Sequence, residues 1–265
     1  MRIVVLNDAE PVAQYGAAQI IETINEKPNA NLGLATGSSP IRLYQNLITA
    51  YQQGQVSFKQ VTTFNLDEYL GLTGDHPQSY RYFMNQQLFN EVDIELDNTF
   101  VPDGSTKNPL KTCADYEANM RARGGVDLQL LGIGRNGHIG FNEPSSSLVS
   151  RTRVKTLTKD TVEANQRFFK PGEFQPHLSL TMGIGTIMEA RQIMLIATGA
   201  DKAEAIKNTI EGPVSAYCPA SILQMHANVT VVIDQDAALG LKDVAFYQYI
   251  EQEQNRLQAA IKMAG

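Results

Sequence analysis

Short apolar runs of strand length alternate with helix-period segments along this chain. Residues 3–6, 32–35, 61–64, 126–131, 193–197 and 229–233 are rich in leucine and β-branched side chains and too short for buried helices. Asp8 stands where a helix N-cap is needed, and Val12, Gly16, Ile20 and Ile24 mark one face of the helix that follows. Further helices are expected after Pro40, over 79–88, across 115–121, and from about Asp201 and Asp236. Strands separated by helical crossovers return parallel. The expectation is therefore an α/β fold: an open, mostly parallel, Rossmann-like sheet with helices on both faces. No repeat, low-complexity tract or linker divides residues 1–265, so one catalytic domain is expected.

Such a sheet binds ligands outside the carboxyl ends of its strands. Four strand ends run into polar or glycine-rich turns: Thr36-Gly37-Ser38-Ser39, Asn65-Leu66-Asp67-Glu68, Gly134-Arg135-Asn136-Gly137-His138 and Thr198-Gly199-Ala200-Asp201-Lys202. All four are expected to face one crevice. The densest is 132–144, Gly-Ile-Gly-Arg-Asn-Gly-His-Ile-Gly-Phe-Asn-Glu-Pro, where an amide, an imidazole and a carboxylate lie among four glycines. Glycine lets the backbone turn tightly and approach a ligand there.

Charge and composition narrow the partners. A net charge of −6 gives no basic footprint for nucleic acid, and no apolar run reaches membrane-spanning length. Hydrophobic residues make up 43% of the chain, enough for a core. Cys113 and Cys218 form no Cys-x-x-Cys pair, which argues against a zinc or dithiol site and for buried thiols of a reducing compartment. The expectation is a cytoplasmic protein acting on a small molecule, with no metal.

Several groups carry the chemistry. Thr36-Gly37-Ser38-Ser39 can hold a phosphate at the start of a helix, although a plain N-cap followed by Pro40 fits equally well. It is neither a Walker A loop nor a dinucleotide fingerprint. Lys202 falls in a first helical turn, where the dipole opposes a cation unless an anion is near. Arg167, flanked by Asn165, Gln166, Phe168 and Phe169, is either a phosphate fork or an arginine stacked on its neighbours. One of Asp67 and Glu68 can serve as a general base, and the local sequence does not choose between them. His138, with Asn136 and Glu143 close in sequence, has the makings of an oriented acid–base imidazole. No Gly-x-Ser-x-Gly elbow supports a serine hydrolase.

These stretches resemble the glucosamine-6-phosphate deaminases of the glucosamine/galactosamine-6-phosphate isomerase family. The resemblance spans essentially the whole chain and is carried above all by Phe64-Asn65-Leu66-Asp67-Glu68-Tyr69 joined to Gly137-His138-Ile139-Gly140-Phe141-Asn142-Glu143-Pro144. It implies conversion of D-glucosamine 6-phosphate and water into D-fructose 6-phosphate and ammonia without a metal or organic cofactor. Asp67 matches the base that moves the C2 proton to C1. His138 matches the ring-opening residue, with Glu143 and Asn136 as its relay partners. Gly37, Ser38, Ser39, Arg167 and Lys202 match the phosphate site. Many members carry Asp where this chain has Asn136. Some bacterial members are hexamers activated by N-acetylglucosamine 6-phosphate, and Ser146, Arg153 and Lys155 match their effector-phosphate contacts. The resemblance thus admits a homo-oligomer, hexameric or smaller, although the terminal segment around 247–263 departs from the hexameric pattern. A lid over about 156–182 is expected to bring Arg167 onto the phosphate. The alternatives are a related sugar-phosphate isomerase or lactonase-like hydrolase, or a non-catalytic sugar-phosphate sensor.

Overall fold

Strand β2 (Asn31–Leu34), β3 (Thr62–Asn65) and β6 (Leu128–Leu131) are buried at every position, the signature of a parallel sheet covered on both faces. In this computed structural model, which describes residues 1–157 and 174–264, they join β1 (Arg2–Leu6), β5 (Thr99–Phe100), β9 (Gln192–Ala197) and β10 (Val229–Asp234). The order is β1-β10-β9-β6-β2-β3-β5, and every neighbouring pair is parallel. After β2 the chain steps outward to β3 and β5, then returns to place β6 on the other side of β2 and continues to β9 and β10. The strand order reverses between β2 and β6, and a crevice opens at such a switch point.

The described helices are α1 (Ala9–Glu26), α2 (Ile41–Gln52), α3 (Tyr80–Gln87), α4 (Pro109–Ala122), α5 (Ile184–Ile187), α6 (Ala203–Ile210) and α7 (Val244–Ala264). Asp8 caps α1 as expected, accepting from the Glu10 N–H, and Val12, Gly16, Ile20 and Ile24 are buried. None of the described helices is long and apolar enough to cross a membrane.

Two expectations are corrected. Asp67 and Glu68 do not sit in a turn. They begin β4 (Asp67–Tyr69), which pairs antiparallel with β8 (Leu178–Thr181), itself antiparallel to β7 (Arg153–Thr156). This second sheet is assembled from segments far apart in sequence, so no local pattern announces it. Nor does a helix start at Asp236. Residues 235–240 form turns, the first held by the Asp234 carboxylate accepting from the Ala237 N–H, and α7 begins only at Val244. Most of the expected lid, including Arg167, lies outside the described residues; its ends at Thr156 and 178–181 are strand.

Candidate active site

One end of the candidate site is built where β2 meets α2. Tyr44, fully buried, donates its hydroxyl to the Ala35 carbonyl at 2.6 Å and so fixes the end of the strand. Gly37 then takes φ +90°, a conformation side chains resist, and the turn delivers Ser38 and Ser39 to the start of α2. The α2 N-cap is Pro40, which makes no side-chain capping bond, so no capping side chain competes with an anion for the first-turn N–H groups. Opposite it, Gly199 turns the chain at φ +92° after β9, and Asp234 grips its N–H with both carboxylate oxygens at 3.0 Å. Lys202 is thereby held with its side chain 21% exposed, and burial draws its pKa below the ordinary lysine range.

Between these turns lies a cavity of about 410 Å³ lined by Ser38, Ser39, Thr198, Lys202, Arg42 and Arg135, among others. The first four were expected at one crevice. Arg135 belongs to another of those turns but was not singled out as a ligand, and Arg42 was not expected there. Arg42 was detectable by the argument that singled out Lys202, since it too is a cation in a first helical turn.

The ring of His138 rests on the backbone of Gly134. A Cβ there would lie 2.2 Å from Cε1 and 2.4 Å from both ring nitrogens, so the glycine is a steric requirement. Nδ1 of His138 stands 3.2 Å from Oε2 of Glu143, at ion-pair distance but without hydrogen-bond alignment. The same Oε2 accepts from the Asn136 amide at 2.7 Å, and the Asn136 carbonyl oxygen accepts from the His138 N–H at 3.2 Å. Asn136, His138 and Glu143 therefore form one unit, as expected. Glu143 is 5% exposed, a burial that strengthens its electrostatic grip on any charge forming on the imidazole.

Asp67 and Glu68 have different surroundings. Glu68 accepts from the N–H groups of Tyr69, Tyr80 and Arg81, closing the start of α3. Asp67 accepts no hydrogen bond from any described residue. Its Oδ2 instead comes within 3.3 Å of where a Cβ of Gly140 would stand, against the histidine loop. Burial, and secondarily the charge of Glu68, raise its pKa to about 8. Thr181, opposite Asp67 in the second sheet, accepts from the Phe141 N–H at 3.0 Å and ties loop and strand together. Tyr80 was not singled out by sequence. Its hydroxyl contacts that of Tyr69 at 3.2 Å and bonds to the Thr36 side chain, and its ring stacks on Phe141 at 5.9 Å. Tyr80 thus links the turn at Thr36 to the strand and loop around Asp67. The cavity's own lining stops short of Asp67 and His138, which lie further along the same strand ends.

Ser146, Arg153 and Lys155 gather behind Glu143. The Ser146 N–H donates to the Glu143 carbonyl, while its buried Oγ has no hydrogen-bond partner among the described residues. Arg153 donates to Asn142 Oδ1 at 2.9 Å, and Lys155, two residues along β7, feels both Arg153 and Glu143.

Comparison with known proteins agrees with this geometry. The family model described as glucosamine-6-phosphate isomerases/6-phosphogluconolactonase matches residues 7–232. A glucosamine-6-phosphate deaminase of Cellvibrio japonicus is 61% identical over 257 residues, 97% of this chain and 98% of that one. One from Shewanella halifaxensis is 59% identical over 261 residues, 98% and 99% of the two chains. Among solved structures, a monomeric glucosamine-6-phosphate deaminase matches with a TM-score of 0.87 at 44% identity, over 91% of this chain and all of its own. A 6-phosphogluconolactonase from Trypanosoma brucei matches with a TM-score of 0.72 at 20% identity, over 91% and 98%, a likeness of fold alone.

Proposed function

This chain belongs to the family of glucosamine-6-phosphate isomerases and 6-phosphogluconolactonases, and from that premise we propose how its residues share the work of the deaminase reaction. The chain is an enzyme of amino-sugar breakdown that turns D-glucosamine 6-phosphate and water into D-fructose 6-phosphate and ammonia.

Ser38, Ser39, the α2 N–H groups and Lys202 hold the phosphate, a group far from the bonds that change. Binding energy gathered there orients the sugar over the strand ends. His138 takes the O1 proton and returns one to O5, which opens the pyranose ring. Glu143 and Asn136 hold the imidazole and offset the charge it carries in transit. Only in the open chain does a carbonyl at C1 make the C2 hydrogen acidic. Asp67 removes that proton and delivers it to C1 through an enolamine. Water then adds at C2 and the amine leaves as ammonia. Every step is proton transfer, addition or elimination, which this set of acids and bases covers.

The observation that carries the assignment is Asp67 itself, a buried carboxylate facing the histidine loop that accepts no hydrogen bond among the described residues. Lactone hydrolysis needs no base at C2. The substrate's ammonium group also suits this position, because a cation beside Asp67 favours the ionised, basic form that burial opposes. A coupled ammonia assay on glucosamine 6-phosphate tests the assignment with wild type and Asp67→Asn. Ammonia release by the wild type and its near-loss in the variant are expected; an equally active variant would overturn the role given to Asp67.

Ser146, Arg153 and Lys155 are assigned to the phosphate of an effector, supported by two cations and a hydroxyl without a partner among the described residues, around the carbonyl side of Glu143. Initial-rate curves with and without N-acetylglucosamine 6-phosphate test this, and unchanged curves would remove it. The free thiols of Cys113 and Cys218 support a reducing, cytoplasmic setting.

A further inference from the structure

We propose that Arg135 is an additional ligand of the substrate phosphate, and that Asp201 is the internal anion it leaves in order to bind. The inference rests on the sugar-phosphate reading of the site. Arg135 and Asp201 both line the cavity that contains Ser38, Ser39 and Lys202. The Nε of Arg135 donates to Oδ2 of Asp201 at 2.9 Å, and the same oxygen stands 3.9 Å from Nζ of Lys202. One carboxylate oxygen thus sits between two cations on the wall of an anion site.

A carboxylate in that place opposes a phosphate dianion unless it is doing the dianion's work while the site is empty. The surroundings fit that role. Asp201 is held below the ordinary carboxylate range mainly by its bond to Arg135, so it stays charged and competes throughout the neutral range. The side chain of Arg135 is 79% exposed, which leaves it room to swing from Asp201 to a ligand in the cavity. An arginine fork pairs with phosphate through two parallel donors, a geometry that its single Nε contact with Asp201 does not use.

The position of Arg135 has a second consequence. It lies between Gly134, on which the His138 ring rests, and Asn136, which is bonded to Glu143. The Gly134 N–H donates to the His138 carbonyl at 2.9 Å, and the Gly137 N–H donates to the Gly134 carbonyl at 3.0 Å. A phosphate drawn onto Arg135 therefore pulls on the same short turn that carries the ring-opening group. The chain couples its grip on the substrate's far end to the loop that acts on O1 and O5.

The test is calorimetric titration of the full-length protein with inorganic phosphate, which needs no turnover. The variants are Arg135→Gln, Asp201→Asn and the double substitution. Losing a charge-assisted contact weakens phosphate binding by roughly tenfold in Arg135→Gln. Removing an exposed competing charge tightens it by roughly two- to fivefold in Asp201→Asn. That gain shrinks when Arg135 is already absent, and a merely structural role for Asp201 would not produce tighter binding at all. Unchanged affinity in Arg135→Gln, or weaker binding in Asp201→Asn, overturns the proposal. The ammonia assay separates its failure from that of the reading beneath it. Ammonia release with unchanged phosphate affinity in Arg135→Gln sinks only the role of Arg135. The expected affinity pattern in a wild type that releases no ammonia sinks only the deaminase chemistry.

Discussion

Replacing Gly134 by alanine adds one methyl group at the most crowded point of the proposed ring-opening machinery. The new carbon would stand 2.2 Å from Cε1 and 2.4 Å from Nδ1 and Nε2 of His138. Ordinary contact between such atoms is about 3.5 Å, so the ring must retreat by about 1 Å. Gly134 is not among the residues with positive φ, so the effect is steric and not a backbone preference. Retreat of the ring breaks the 3.2 Å approach of Nδ1 to Glu143 and moves Nε2 off the ring oxygens of a substrate anchored by its phosphate. A misplacement of about 1 Å in a reacting group can cost on the order of a hundredfold in rate. The expected result in the coupled ammonia assay is therefore a fall in kcat of roughly a hundredfold. The affinity for inorganic phosphate falls far less than kcat, since the methyl adds nothing at Ser38, Ser39 or Lys202 and reaches the phosphate only through the neighbouring Arg135. Circular dichroism at the assay temperature establishes that the fold is intact. If Gly134→Ala keeps wild-type kcat, the imidazole does not act from where it rests, and the role given to His138 is wrong.

Asp67→Asn should lower kcat by roughly 10²- to 10⁴-fold, the usual worth of a positioned general base. The same change should stabilise the protein at alkaline pH: burial raises the folded pKa of Asp67 from 3.8 to about 8, so the wild type loses stability as pH rises across that window. Melting curves of the two proteins should accordingly coincide in acid and separate progressively toward pH 8; parallel curves throughout would contradict the buried, neutral carboxyl. In the wild type, kcat/KM should fall as pH drops below about 8, while kcat should hold to lower pH because the bound ammonium favours the ionised base. Coincident profiles for the two constants would remove that pairing. Asp234→Ala frees the Gly199 and Ala237 N–H groups and loosens the turn that presents Lys202, so KM should rise several-fold, by about the worth of one or two hydrogen bonds, with kcat largely kept. A fall in kcat with unchanged KM would place Asp234 in the chemistry instead.

The parallel sheet was legible because its signal is local: each strand is a short apolar run and each helix announces its own face. Once the strands are parallel, their carboxyl ends share an edge, and Ser38, Lys202 and His138 are brought together by topology alone. Asn136 and Glu143 were legible for the simpler reason that they lie within a few residues of His138. What stayed hidden depends on partners distant in sequence. The cavity role of Arg135 emerges only when Asp201 and Lys202 arrive from the end of β9, and Tyr80 reaches Thr36 and Phe141 only through the fold. Asp67 and Glu68 are the most instructive case. As a turn, two adjacent acids can both face a ligand, and the local pattern gave no reason to prefer either; only the family resemblance pointed to Asp67. The structure makes them the first two residues of a strand, where successive side chains point to opposite faces. Leu66 still donates its N–H to Leu34 in the main sheet, and the very next residue pairs with Thr181 in the second. That one-residue change of sheets fixes the parity. One carboxylate is turned toward α3 and consumed by its N–H groups, and the other is turned toward the histidine loop and accepts no hydrogen bond among the described residues. Moving the crossover by a single residue would exchange the two and leave the crevice with a carboxylate on a different backbone position, so the identity of the proposed base rests on where β3 ends and not on which acid is intrinsically the better one.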